Sequence, residues 1–123
     1  MMPRMIVRGG RIPTFDFQGL RISDYTADRD ELSSSLARIE VAAGAGHAPS
    51  RSTRSDKYYY LLSGRLRIET ESGGSDELEA GDAWIVPRGE LFRYENAGDE
   101  AASLLLVHTP SFRLEAEIFP PET

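Results

Sequence analysis

Two stretches, HAPSRSTRSDKYYYLLS (47–63) and GDAWIVPRGELFRYEN (81–96), hold most of the side chains in this sequence that can do chemistry. The first carries a short cationic cluster, Arg51, Arg54 and Lys57, in a chain whose other cations are spread out. Arg51 offers a planar fork that can hold a carboxylate or phosphate at two points, and Lys57 a compact charge whose pKa falls when it is buried. His47, in a Gly/Ala/Pro loop, is a candidate general base, and Tyr59 and Tyr94 bring hydroxyls that can exchange a proton. Each also has an ordinary alternative: solvated loop charges for the cations, a mobile solvent-exposed ring for His47, and phenols satisfied by a backbone carbonyl. Cysteine is absent, which excludes a thiol nucleophile, a disulfide and thiolate metal ligation. A metal would therefore need His, Asp or Glu. His47 and Asp56 together fall short of the three or four protein ligands such a site takes, and His108, in LLLVHTP, reads as a surface or satisfied core histidine.

The elements that must position these groups read as β-strands. Alternating or β-branched and aromatic runs separated by Gly, Asp, Ser and Pro turns predict strands at 4–9, 14–23, 35–43, 57–63, 65–71, 76–80, 83–87, 91–96, 102–109 and 113–119. Only 26–34 has weak helical character, and it reads equally as a turn. Short strands at this spacing with hardly any helix predict an all-β sandwich or barrel. The chain's 123 residues suffice for one domain. The end FPPET cannot continue a central strand and is expected on the surface. Strand parity puts Lys57, Tyr59 and Leu61 on one face and Tyr58, Tyr60 and Leu62 on the other; Phe92 and Tyr94 likewise share a face.

The spacing of glycines and prolines then becomes specific. Gly81, Pro87, Gly89 and Asn96 occupy four anchors of the pattern G-x5-P-x-G-x2-H-x3-N, with Phe92 in the histidine position. Through this pattern, and through the strand, Gly turn and returning strand of YYYLLSGRLRIE, residues 35–110 resemble the cupins, whose fold is a small jelly-roll barrel. The resemblance implies that an earlier motif, H-x-H-x3-E-x6-G, ends on Gly64; Lys57 then stands in the glutamate position and Arg51 and Thr53 in the two histidine positions. Cupins that carry a metal hold it in the barrel mouth with these imidazoles and this carboxylate. All of those positions are substituted here, so the resemblance implies no metal and no other cofactor, with basic side chains in the place of the ion.

The expectation is thus a single-domain, all-β cupin-type jelly roll with an aromatic box closed by a cationic end. Lys57, Tyr59 and His47 are its candidate catalytic residues, and Arg51, Thr53, Trp84, Phe92 and Tyr94 its candidate binding residues. The function this implies is metal-independent proton transfer on a small anionic or carbonyl-containing molecule, as in an isomerase, epimerase, cyclase or lyase of sugar or secondary metabolism. Its rival is a non-catalytic module binding the same ligand class. A net charge of −6 disfavours nucleic acid as a partner. No long apolar run or secretory leader is evident, so no membrane partner is expected and the location reads as cytoplasmic. Outward-facing apolar residues predict a homodimer.

Overall fold

Residues 4–120 are described by a computed structural model, in which eleven strands are joined by turns and loops. In chain order these are β1 (Thr14–Phe17), β2 (Leu20–Asp24), β3 (Ser35–Val41), β4 (Arg51–Ser52), β5 (Asp56–Ser63), β6 (Arg65–Thr70), β7 (Gly74–Glu79), β8 (Ala83–Val86), β9 (Phe92–Glu95), β10 (Ala102–Thr109) and β11 (Glu117–Ile118). The larger sheet runs β1-β2-β3-β10-β5-β8, and it faces a sheet ordered β7-β6-β9; β11 and β4 form a short third pair. All pairings are antiparallel. The architecture is the expected jelly-roll barrel.

Alternation along each strand fills its interior. Leu61, Leu104 and Val41 have no exposed surface, and Leu66, Val86, Phe92 and Tyr94 very little. Each such aliphatic or aromatic side chain contributes roughly 1.5–3 kcal/mol through burial. The predicted parity holds in β5: Lys57, Tyr59 and Leu61 point inward, and Tyr58, Tyr60 and Leu62 outward. The glycine anchors are turn formers, since Gly64, Gly81 and Gly89 all have positive φ. Asn96 is a buried clamp whose amide donates to the carbonyls of Val41 and Glu100, while its own carbonyl accepts from the Gly98 amide.

Several element boundaries need correction. Residues 4–9 form no strand; they run extended and mostly exposed into a single helical turn at Gly9–Arg11, because no neighbouring strand offers them a ladder. The predicted strand 14–23 is a hairpin, folded at Gln18 and Gly19, which both have positive φ as a two-residue turn between twisted strands requires. Segment 113–119 is divided into a helical turn, Leu114–Ala116, and the two-residue β11. Its partner β4 is an additional strand. Residues 26–34 are turns, with the Asp24 carboxylate accepting from both the amide and the hydroxyl of Thr26.

Candidate functional site

A cavity of about 240 Å³ lies between the large sheet and the loop that carries β4. Its wall is overwhelmingly apolar. Phe15, Phe17, Phe112, Leu114 and Phe119 line it and are themselves partly exposed, so they mark its mouth. Tyr59, Phe92 and Tyr94 are almost wholly buried and mark its inner end. Besides the two phenols, Lys57, Glu117, His47 and His108 line the same space, and Asp24 is the cavity's other carboxylate.

Lys57 is delivered by the inward parity of β5, and its ammonium donates to the carboxylate of Glu117, which β11 brings across the barrel. Both side chains are more than nine-tenths buried. Burial pulls the lysine pKa down, and Glu117 opposes that fall through its charge and its hydrogen bond. Lys57 Nζ also lies 4.9 Å from the centre of the Phe92 ring, a cation–π contact between buried groups.

Both histidines are buried and neutral. Desolvation holds His47 down to about 4, against a smaller upward pull from its hydrogen bond to the Ala48 carbonyl; Lys57 and Arg93 lower it further. His108, directly opposite Lys57 on β10, is held at about 3 by burial and by that same lysine. Nδ1 of His47 lies 2.7 Å from the Ala48 carbonyl oxygen, so Nδ1 carries the proton and Nε2 presents a lone pair. Nε2 of His47 and Nε2 of His108 are buried without a partner in the protein. A buried imidazole nitrogen left unsatisfied is costly unless something else binds it. The ring of His47 is fixed edge-on against Phe92 and Tyr94, at centroid distances of 5.0 and 4.4 Å. Burial also raises the pKa values of Tyr59 and Tyr94, so both phenols stay protonated.

Of the residues singled out in the sequence, Lys57, Tyr59, His47, Phe92 and Tyr94 meet at this cavity; Arg51, Thr53 and Trp84 do not line it. The loop is one residue out of the expected phase. Ser50 and Ser52 point inward, which leaves Arg51 half-exposed and Thr53 exposed, with the Thr53 hydroxyl on the Ala116 carbonyl. Solvation explains this phase, since a guanidinium keeps its water while the small Ser52 hydroxyl is satisfied by the amides of Arg54 and Ser55. Trp84 is buried behind the wall, stacked on Tyr59 at 5.2 Å and edge-on to Phe92 at 5.5 Å. It supports the wall and does not form it. The cationic end is likewise corrected, because Glu117 neutralises Lys57 and no arginine lines the cavity.

Two cavity groups escaped the sequence reading. His108 shares the inward parity of Leu104 and Leu106, but the unbroken apolar run around it hides the alternation. Glu117 follows a helical turn, and nothing in EAEIF distinguishes it from the exposed Glu115. The donor set does not suit a dication. Phe92 and Lys57 occupy ligand positions of the metal-bearing pattern, the ammonium of Lys57 would face the ion, and among the described residues no three His, Asp or Glu side chains stand close enough together to hold a metal ion.

Residues 37–108 match the family model described as "Cupin domain". The chain belongs to the cupins. Among curated proteins, this cupin is 33% identical over 110 residues to the endoribonuclease YbeY of Myxococcus xanthus, a match covering 88% of the chain and 36% of that protein. It is 35% identical over 75 residues to the tetracenomycin polyketide synthase protein TcmJ of Streptomyces glaucescens, covering 61% of the chain and 50% of TcmJ. The chain thus spans between about a third and a half of these relatives. Among solved structures, a Streptomyces PAC13 variant with uridine superposes with a TM-score of 0.82 at 19% identity, over 97% of this chain and 92% of the other. Pac13 is described as a nucleoside dehydratase. The cupin domain of Schizosaccharomyces pombe Cnp3 gives 0.69 at 22% identity, over 82% and 70%. At such identities the likeness shows the fold alone.

Proposed function

We propose that this cupin catalyses metal-independent proton transfer on a small carbonyl compound with an apolar body, as an isomerase, cyclase or lyase does. One observation carries the reading: two neutral imidazoles, of which His47 holds an unprotonated and unpartnered Nε2, share an apolar cavity with a buried Lys57–Glu117 pair. A free imidazole nitrogen can take a proton from carbon next to a carbonyl, and Lys57 can stabilise the enolate oxygen that forms. The apolar wall strengthens that charge stabilisation by excluding water. With Lys57 already paired and no other cation on the wall, a neutral carbonyl compound suits the cavity better than an anion. That a similar barrel serves a dehydratase, and that a related sequence belongs to a polyketide synthase, supports chemistry of this class. The endoribonuclease name attaches to a protein of which only 36% is matched, and a chain of net charge −6 is poorly suited to an RNA backbone.

The test is a panel of aryl ketones such as 2-acetylnaphthalene, screened by thermal shift and then incubated with protein in deuterium oxide. Deuterium entering next to the carbonyl, and lost in a His47→Gln/His108→Gln variant that still binds, is the expected result. Binding without exchange would instead mark a non-catalytic binding module.

A further inference from the structure

The sequence contains a single lysine, against thirteen arginines among its 14 cationic residues. That lysine is Lys57, 5% exposed at the inner end of the apolar cavity. Lysine is almost never fully buried unless it is paired, and a purely structural cation could as well have been arginine, the cation this chain uses everywhere else. What lysine has and arginine lacks is an amine that can become neutral and nucleophilic.

We propose that Lys57 is an imine-forming nucleophile, with Glu117 as its proton partner and the free Nε2 of His47 as the base for the carbon acid that the imine creates. The proposal rests on the reading that the cavity takes a carbonyl compound. The buried carboxylate in contact with the ammonium can accept its proton, leaving a neutral amine and a neutral acid in an apolar space. The amine nitrogen forms a bond to the carbonyl carbon while the π pair moves to oxygen, which takes the proton held by Glu117. The carboxylate, now free again, removes a proton from the new ammonium centre. It then returns that proton to the hydroxyl, which leaves as water as the nitrogen lone pair closes the C=N bond. Ammonium, carboxylate and carbonyl thus become iminium, carboxylate and water, with no other reactant. The iminium draws electrons from the neighbouring carbon, whose proton passes to Nε2 of His47. His108 faces Lys57 across adjacent strands, and Lys57 lies near enough to both rings to depress their protonation.

A buried lysine with only a structural role should be shielded from reagents, whereas a nucleophile should react faster folded than unfolded. Protein is incubated with 2-naphthaldehyde and cyanoborohydride at neutral pH, folded and in urea, and the amines are mapped by peptide mass spectrometry with the N-terminal amine as internal reference. The expected result is a naphthylmethyl adduct on Lys57 that forms at least about tenfold faster in the folded protein, the gain from a one-unit fall in amine pKa. Equal or slower labelling of Lys57 in the folded state, or labelling confined to the N-terminus, overturns the proposal. Deuterium exchange into 2-acetylnaphthalene, measured on the same preparation, separates the two ideas. Exchange without the adduct sinks the imine and leaves proton transfer standing, and the loss of both sinks the pair.

Discussion

Lys57 and Glu117 are a buried pair held in place by strands 60 residues apart in sequence, and their energetics follow from what each would be alone. Removing one partner strands a charge in an apolar interior, whereas removing both can leave the barrel as stable as before. Lys57→Met is therefore expected to cost about 3–5 kcal/mol in urea denaturation, and Lys57→Met/Glu117→Leu to recover most of it. The histidines set a second dependence. Their ordinary pKa of 6.5 falls to about 4 for His47 and about 3 for His108 on folding. Below pH 6.5 the unfolded chain consequently binds protons that the folded chain refuses. The stability from their neutral burial is complete above pH 6.5 and drains away as pH falls toward 4 and 3. The loss is on the order of a few kcal/mol for each histidine. Urea midpoints measured from pH 7 to pH 4 should decline more steeply for the wild type than for a His47→Asn/His108→Asn variant.

Strands whose residues alternate or pack on both sides are legible in the sequence itself. β10 has the bounds 102–109 that its composition indicates, and β5, β6 and β8 differ from expectation by a residue or so. Parity in β5 and β9 was enough to bring Lys57, Tyr59, Phe92 and Tyr94 to one interior. Legibility ends where an element owes its existence to a distant partner. β4 and β11 have two residues each, too few for propensity to act on, and each forms only against the other. The phase of the loop before β5, which turns Arg51 out and Ser50 in, depends on that same pairing, and so does the arrival of Glu117. The hairpin at Gln18 was hidden because glutamine seldom takes a positive φ, and only Gly19 hinted at the turn.

On the outside of the barrel, Tyr58, Tyr60, Leu62 and Ile85 form an apolar patch, each more than two-fifths exposed. Tyr58 and Ile85 are direct neighbours across β5 and β8, so the patch is continuous and spans two strands. Beyond β10, Arg38 and Glu40 on β3 supply charges of both signs, which a two-fold axis could match to one another between copies. A monomer seldom leaves such a surface uncovered when it is ringed by polar groups. Light scattering is expected to give the mass of a dimer, and Tyr60→Glu/Ile85→Lys that of a monomer with an unchanged circular dichroism spectrum. A monomeric wild type would remove this interface.

The concealment of its sole lysine also gives the molecule an unusual chemical silence. Within these 123 residues every basic side chain other than Lys57 and the histidines is a guanidinium, so a sulfonated, membrane-impermeant acylating reagent, too polar for an oily recess, finds no ε-amine on the folded surface. The ε-amine becomes available to it only when the barrel opens. The pace of its acylation is therefore a covalent clock for spontaneous breathing, carried by the protein without any engineered label.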